Sequence, residues 1–249
     1  MSCAPARKPP YLLMPHAYVC ARDDYVVLMD TELGKYLAID GRQSRYLGEL
    51  IEGWPTNTEA RSELQGPATT PPSSSADRIV RQLLHRKLLT EDPSIGKKAA
   101  PATAHLSLQT FPIFTLDRSL RHHLRYLPNF IRACLRANRL YTNICLARVV
   151  EHIQSRRRRW GALAPDAQKL ERLVRAHHHL RPLIYTWQNR CLYDSIVLLE
   201  FLALYRIDAT WVFGVHTWPW IPHCWVRSGT HLLNDYPGNI GSHSILAEF

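Results

Sequence analysis

The chain reads as an α+β protein in two parts, and three observations predict it. Residues 16–40 fall into three short runs of strand-like composition, separated by Asp23-Asp24 and Leu33-Gly34. Residues 113–185 carry the wider apolar spacing of helices, and 209–235 return to a β-rich pattern. Between them, the stretch EDPSIGKKAAPATAHLSLQTFP has the prolines and small polar residues of a linker. The division is therefore 14–92, a linker over 93–112, and 113–249.

In order, residues 16–22 alternate, 25–30 form a Val/Leu-rich strand, and 35–39 form a third. Asp40-Gly41 precedes a helix over 42–53 with Tyr46, Leu47, Leu50 and Ile51 on one side. It must stop before Trp54-Pro55, because a residue ahead of proline is pushed out of the helical region. A short helix is expected around 58–64, and GPATTPPSSS (66–75) reads as a flexible insertion. A third helix is predicted over 76–89, with Ile79, Val80, Leu83 and Leu84 at helical spacing and Asp77 near the positive end of its dipole. Three strands followed by three helices, the last basic, describe a winged helix-turn-helix.

Beyond the linker, helices are expected over 115–126, 128–138, 141–160 and 166–180. Pro165 stands just ahead of the last, and Gly161 suits the C-cap of the long one. His177-His178-His179 and His122-His123 invite a metal reading. Consecutive helical residues point in different directions, however, so the triplet cannot converge on one ion, and no metal or other cofactor is expected. The tail after Asp235 (YPGNIGSHSILAEF) reads as loop.

Composition bounds the function. The formal charge of +10 and pI near 9.5 point to an acidic partner or surface, with nucleic acid and an acidic peptide both open. The densest basic run, Arg156-Arg157-Arg158-Arg159, fits a solvated helix end better than a binding patch. Six cysteines (Cys3, Cys20, Cys134, Cys145, Cys191, Cys224) lie far apart with no C-x-x-C pair, which argues for reduced thiols and against a zinc site. No run reaches the length of a membrane helix, and residues 1–15 lack a signal-peptide pattern, so no membrane association and a cytoplasmic setting are expected.

Candidate chemistry concentrates in residues 187–236. Asn189 can cap a helix that puts Cys191 in its first turn, where the dipole favours thiolate over thiol. Residues 192–205 are apolar on nearly every side, so this helix should be buried. Strands follow, with a hairpin loop at Ser228-Gly229-Thr230. His223 lies six residues before Gly229 and Asp235 six after, so a hairpin centred on Gly229 sets the two side chains opposite each other. A two-residue loop would shift that register by one. A carboxylate beside an imidazole fixes its tautomer and supports its charge, the third-member role in a Cys-His-Asp triad. A single buried cysteine is ordinarily just a small hydrophobe; the order and spacing of the three residues give the triad its weight. Gln188, with the Cys191 N–H, is a candidate for an oxyanion hole.

These residues carry a resemblance. Cys191-Leu192, Gly214-Val215, Pro222-His223-Cys224-Trp225-Val226 and Leu233-Asn234-Asp235 resemble the transglutaminase-like cysteine peptidases, and within them the B proteins of lasso-peptide biosynthesis. Cys224 departs from the small residue, usually Ala, expected there. The resemblance implies a papain/transglutaminase-like domain with a helical subdomain and a small antiparallel sheet. It also implies a cytoplasmic bacterial enzyme that removes the leader from a ribosomally made precursor peptide, beside an asparagine-synthetase-like lasso cyclase using ATP.

The stretch YVVLMDTELGKYLAIDGRQSRYLGEL is similar to the leader-recognition domain of peptide-modifying systems, the type of the pyrroloquinoline quinone biosynthesis chaperone. That similarity implies that the leader adds as a strand beside Lys35, Tyr36, Leu37, Ala38 and Ile39, against a helix face with Arg78, Val80, Gln82 and Leu83. Competing readings are a transglutaminase-type acyl transferase, a winged-helix DNA-binding regulator, and a leader-binding scaffold with a dead catalytic domain. The helix DRIVRQLLHRKLL offers few side chains suited to base edges, so nucleic acid is not the expected partner.

Overall fold

The computed structural model describes residues 10–55, 73–100, 109–111, 123–142, 145–160, 166–186, 188 and 190–249. The chain divides into one unit of residues 1–103 with 217–219, and a second of 104–216 with 220–249.

The first unit opens on β1 (Leu12–Leu13), then β2 (Ala17–Arg22), β3 (Tyr25–Asp30) and β4 (Lys35–Asp40). The last three form an antiparallel meander in the order β2-β3-β4, closed at Arg22↔Tyr25 and Asp30↔Lys35. The second turn holds because Asp30 Oδ1 accepts the N–H groups of Glu32 (2.9 Å) and Leu33 (3.0 Å), while Gly34 supplies the positive φ of 63°. Two helices follow, α1 (Gly41–Leu50) and α2 (Ser73–His85). Val19, Val26, Leu28, Ile39, Leu47, Ile51, Val80 and Leu83 form the shared core.

The three strands lie where the alternation predicts. The expected helix around 58–64 lies outside the described residues. The third helix differs at both ends: it starts at Ser73, inside the stretch read as an insertion, and stops at His85 rather than 89. Lys87 takes φ 55° and the Leu88 N–H returns to Leu83 O (2.9 Å), a turn that ends the helix. Leu88 and Leu89 thus reach the core from outside the helix. Leu89 belongs to β5 (Leu89–Thr90), which pairs antiparallel with β1.

Residues 93–100, read as linker, also fold into this unit. Leu13 and Lys97 exchange backbone hydrogen bonds (2.9 and 2.8 Å), and Ala99 N–H reaches Glu52 O (2.8 Å). Gly96 permits the approach, since a Cβ there would lie 2.6 Å from Leu12 Cβ. Composition marks a segment as small and polar; it does not reveal that smallness serves close packing.

The second unit contains β6 (Gln109–Thr110), α3 (Leu127–Thr142), α4 (Leu146–Trp160), α5 (Ala167–Ile184), α6 (Cys191–Ala203), β7 (Thr210–His216), β8 (Ile221–Ser228), β9 (His231–Leu232), α7 (Pro237–Ile240) and β10 (Ser244–Glu248). The sheet order is β10-β7-β8-β9-β6, antiparallel except for the β9/β6 pair. The helix expected over 141–160 starts at Leu146, and residues 141–142 instead complete α3. Of the helix expected over 115–126, only 123–126 are described. Asp166 caps α5 by accepting Gln168 N–H (3.0 Å). The tail is not loop: β10 forms the sheet edge against β7, burying Leu246 and Ala247. Its residues, Ser-Ile-Leu-Ala-Glu, do not alternate and the pairing with β7 slips between Ile245 and Ala247, so no two-residue period marks the strand.

Helix α6 is buried from Asp194 to Ala203 and packs against α3, α5 and β8. Its one glutamate, Glu200, sits in this apolar setting with Arg156 Nη1 at 2.6 Å, His152 Nε2 at 3.2 Å and Arg136 Nη1 at 3.8 Å. Arg157 pairs with Asp208 (2.6 Å) and donates to Ala209 O (3.2 Å), and Arg158 reaches Glu151 (2.5 Å). Arg156 and Arg157 of the basic run thus bolt α4 onto the core, a use that requires partly buried partners. No helix among the described residues is long and apolar enough to cross a membrane.

Candidate active site

Cys191 is the first residue of α6, half-buried, at the positive end of the helix. The N-cap position belongs to Arg190, which makes no side-chain capping bond. Asn189, the expected cap, lies outside the described residues.

His223 comes from β8, where its cross-strand partner is Gly214 on β7. A side chain at Gly214 would strike the Trp225 ring, with the ideal Cβ only 2.7 Å from Cη2. The glycine therefore leaves room on β7 for the ring of Trp225, which lies two residues along β8 from His223. The His223 ring lies 6.0 Å from that of Trp225 and 5.6 Å from that of His243.

The β8/β9 register is Arg227↔Leu232 and Ser228↔His231, so the loop is the two residues Gly229 and Thr230, with Gly229 at φ 55°. The hairpin is thus centred between them rather than on Gly229. By that register Asp235 is not the ladder partner of His223, and β9 ends at Leu232. The contact is nevertheless made: Asp235 Oδ2 hydrogen-bonds His223 Nε2. It arises because the chain leaves the ladder after Leu233. Leu233 N–H still donates to Val226 O (2.9 Å), but the Val226 N–H is taken by the Asn234 side chain (2.8 Å). The following carboxylate swings to the imidazole. Its other oxygen accepts Tyr236 N–H (2.7 Å) and Asn239 Nδ2 (2.8 Å), which hold it in place.

The His223 side chain and the Cys224 thiol are the neighbours that act on the Cys191 sulfur. With Nε2 engaged by Asp235, Nδ1 is the ring nitrogen left for the sulfur. The Cys224 hydrogen bond is the largest influence on Cys191; with the bond and charge of His223 it outweighs burial and lowers the thiol to about 4. For His223, burial opposes the charged form, but hydrogen bonds to Asp235 and Cys191 overcome it and lift the ring to about 9. Asp235 is opposed by burial and held below its usual range by His223 and its two amide donors. Burial drives Cys224 far upward, so it stays a thiol and donates. The resting pair is thiolate and imidazolium, the activated form of a cysteine nucleophile.

That pairing sets a pH window. The thiolate persists above about 4, because the Cys191 value is depressed, and the imidazolium persists below about 9, because the His223 value is raised. The two titrate as a unit. Alkylation of Cys191 by iodoacetamide is expected to hold a plateau across this window, with Cys191→Ser as the blank. An unperturbed thiol instead loses about tenfold per pH unit below roughly 8.5. A rate profile centred there would contradict the pairing.

Gln188 is exposed in the turn ahead of α6. A cavity of about 300 Å³ lined by His216, Ile221, His223, Asn239, Ser242 and His243 opens beside the imidazole. The histidine triplet on α5 serves three neighbours: His177 joins a buried cluster at Asp194, His178 Nε2 donates to Leu233 O (2.8 Å), and His179 stacks on His123 (4.5 Å). Among the described residues, no group of three or more His, Cys, Asp or Glu is placed to hold a metal.

In the first unit, β4 is the last strand of the order β2-β3-β4. Lys35 and Ala38 are exposed, Tyr36 and Leu37 half-buried, and Ile39 buried. On α2, Arg78 and Gln82 are exposed, whereas Val80 and Leu83 are core.

Sequence reasoning gave no role to Asn234, Asn239 or Asp194. Asn234 stood inside the resembling Leu233-Asn234-Asp235 stretch, and Asp194 was legible as a carboxylate in an apolar helix. Either signal pointed to a buried polar partner.

Residues 132–247 match the family model of the transglutaminase-like superfamily. A stretch of 62 residues is 37% identical to the microcin J25-processing protein McjB of Escherichia coli, covering 25% of this chain and 30% of that protein's length. No solved structure matches the chain. Both matches support the resemblance to the B proteins of lasso-peptide biosynthesis, and the chain carries a transglutaminase-like domain in an α+β fold.

Proposed function

We propose that this chain is the leader peptidase of a lasso-peptide pathway, a cysteine peptidase that hydrolyses the amide bond between leader and core. The observation that carries the reading is the His223–Asp235 hydrogen bond beside Cys191, which His223 acts on electrostatically and which stands at a helix N-terminus. The thiolate attacks the scissile carbonyl carbon, and the Cys191 N–H, with Gln188 as a candidate second donor, faces the developing oxyanion. His223 gives its proton to the leaving amine, and the acyl group remains on sulfur as a thioester. Water, deprotonated by the now neutral His223, then releases the carboxylate. Asp235 holds the ring in the tautomer that both steps need.

The first unit is proposed to recognise the leader as a winged helix-turn-helix. The place of β4, from Lys35 to Ile39, at the end of the strand order supports strand addition there, with the exposed Arg78 and Gln82 of α2 alongside; Leu83, fully buried, supports that helix from within and offers no surface to a peptide. The released core would pass to an asparagine-synthetase-like cyclase. The name of the relative, a processing protein, agrees with this reading.

A second reading has the same thioester captured by an amine, as in transglutaminase chemistry, and the superfamily match favours keeping it. One experiment separates them. The chain is incubated with the precursor peptide in ¹⁸O-labelled water, with and without a primary amine, and the products are weighed. Hydrolysis puts one ¹⁸O in the leader's new carboxylate whether or not amine is present. A leader amide formed with the added amine would replace the peptidase reading with transfer, and an intact precursor in all conditions would remove both.

A further inference from the structure

One side chain touches all three elements that carry Cys191, His223 and Asp235. Asn234 Oδ1 accepts the Val226 N–H on β8 (2.8 Å), three residues along the strand from His223. Its Nδ2 donates to Asp194 Oδ2 (2.9 Å) and Ser195 Oγ (3.2 Å) on α6, one turn from Cys191. Its backbone leads directly into Asp235. Asn234 is 9% exposed and Asp194 3%, so these bonds form away from water, where geometry is held most tightly.

The Asp194 end is anchored in turn. Arg181 Nη1 donates to Asp194 Oδ2 (3.1 Å) and the Tyr185 hydroxyl to Oδ1 (2.7 Å). His178, on the same helix, fixes the Leu233 carbonyl. Helix α5 therefore grips both the nucleophile's helix and the segment that bears the carboxylate.

An ordinary hairpin would not need this. The β8/β9 ladder has already ended at Leu232, so ladder register cannot set where Asp235 falls. The amide of Asn234 replaces the missing strand partner on Val226 and at the same time measures the distance to α6. Serine is too short to span both contacts. Aspartate keeps the acceptor, but it has no proton for Asp194 and sets a second carboxylate beside the first.

Resting on the reading of Cys191, His223 and Asp235 as the reacting groups, we infer that Asn234 is a positioning residue, which sets the spacing of sulfur, imidazole and carboxylate by bridging α6, β8 and the Asp235 segment. Its contribution falls on the reaction step and not on peptide affinity. Misplacement of reacting groups by about 1 Å costs on the order of 100-fold in rate.

The test uses the full chain as Asn234→Ala, Asn234→Ser and Asn234→Asp, each checked for folding by near-ultraviolet circular dichroism. Two readouts are taken: kcat and KM for precursor cleavage, and the pH profile of Cys191 alkylation. The alkylation profile responds to the groups that face the sulfur, His223 and Cys224, and through His223 to Asp235. It needs no peptide, so the wild-type profile judges the thiolate reading and the variant-minus-wild-type difference judges Asn234. Folded variants are expected to lose about 10- to 100-fold in kcat with KM changed less than about threefold. Their alkylation midpoint should move upward by at least about one pH unit as the imidazole drifts from the sulfur. A folded variant with wild-type kcat and midpoint overturns the inference. So does failure of all three to fold, which would make Asn234 a folding residue only.

Discussion

Cys191→Ala is expected to lower leader release by about 10⁴-fold or more. The size follows from what is lost. Without sulfur there is no thioester, and the imidazolium beside an alanine has nothing to activate; donors facing the oxyanion and peptide binding alone supply the residual rate. The substitution should not disturb the fold, because Cys191 is only half-buried and alanine is the best helix former at an exposed helix start. Binding of the precursor should survive in the same variant, which separates lost chemistry from lost recognition. Mass spectrometry of the precursor with wild type and variant at matched concentration reads the ratio, and isothermal titration reads the binding. Wild-type cleavage by the alanine variant would move the chemistry away from Cys191.

Asp194→Ala should destabilise the second unit by about 3–5 kcal/mol. Asp194 and Arg181 are 3% and 4% exposed, and the carboxylate accepts from Arg181, Tyr185 and Asn234 at once. Truncating it leaves the guanidinium buried without its counter-charge and removes the acceptor from two further donors. Desolvation of that uncompensated charge, more than the three lost bonds, sets the magnitude. Asp194→Asn should cost clearly less, since the amide oxygen still accepts. Urea unfolding monitored by tryptophan fluorescence measures both variants. A loss below about 1 kcal/mol for alanine would mean that Arg181 finds water or another partner, and that the cluster is not the anchor described.

Particular elements show why some features were readable in advance and others were not. The meander of β2, β3 and β4 was legible because each strand is six residues long and its turns carry residues suited to them, Asp30 as an acceptor and Gly34 at positive φ. Helix α6 was legible from its unbroken apolar composition. By contrast, β1, β5, β6 and β9 are two residues each, below the length at which any period can be counted. Residues 93–100 read as linker and the tail after Asp235 as loop because small and mixed residues carry no local signal, although both are tied down by distant backbone partners. The end of α2 went astray because Leu88 and Leu89 continue a helical apolar pattern while serving a strand.

At the candidate site, chemistry was readable and geometry was not. Cys191 ahead of an apolar helix, His223 on a strand before Trp225, and the Asn234-Asp235 pair each stand out by residue type and order. Equal spacing about Gly229 gave the right pair by the wrong route, since the loop has two residues and Asp235 arrives from beyond the ladder.

By itself, the sequence determined the α+β class, the strand meander, the buried helix and the residue types able to form a thiolate–imidazolium–carboxylate line, because these depend on composition and spacing over a few turns. Only the tertiary structure decided how the carboxylate reaches the ring, why Cys224 lowers the Cys191 thiol, and which partners Arg156, Arg157 and Arg158 take. Those outcomes depend on hydrogen bonds between groups tens of residues apart, made in an interior from which water is excluded, and no local pattern encodes them.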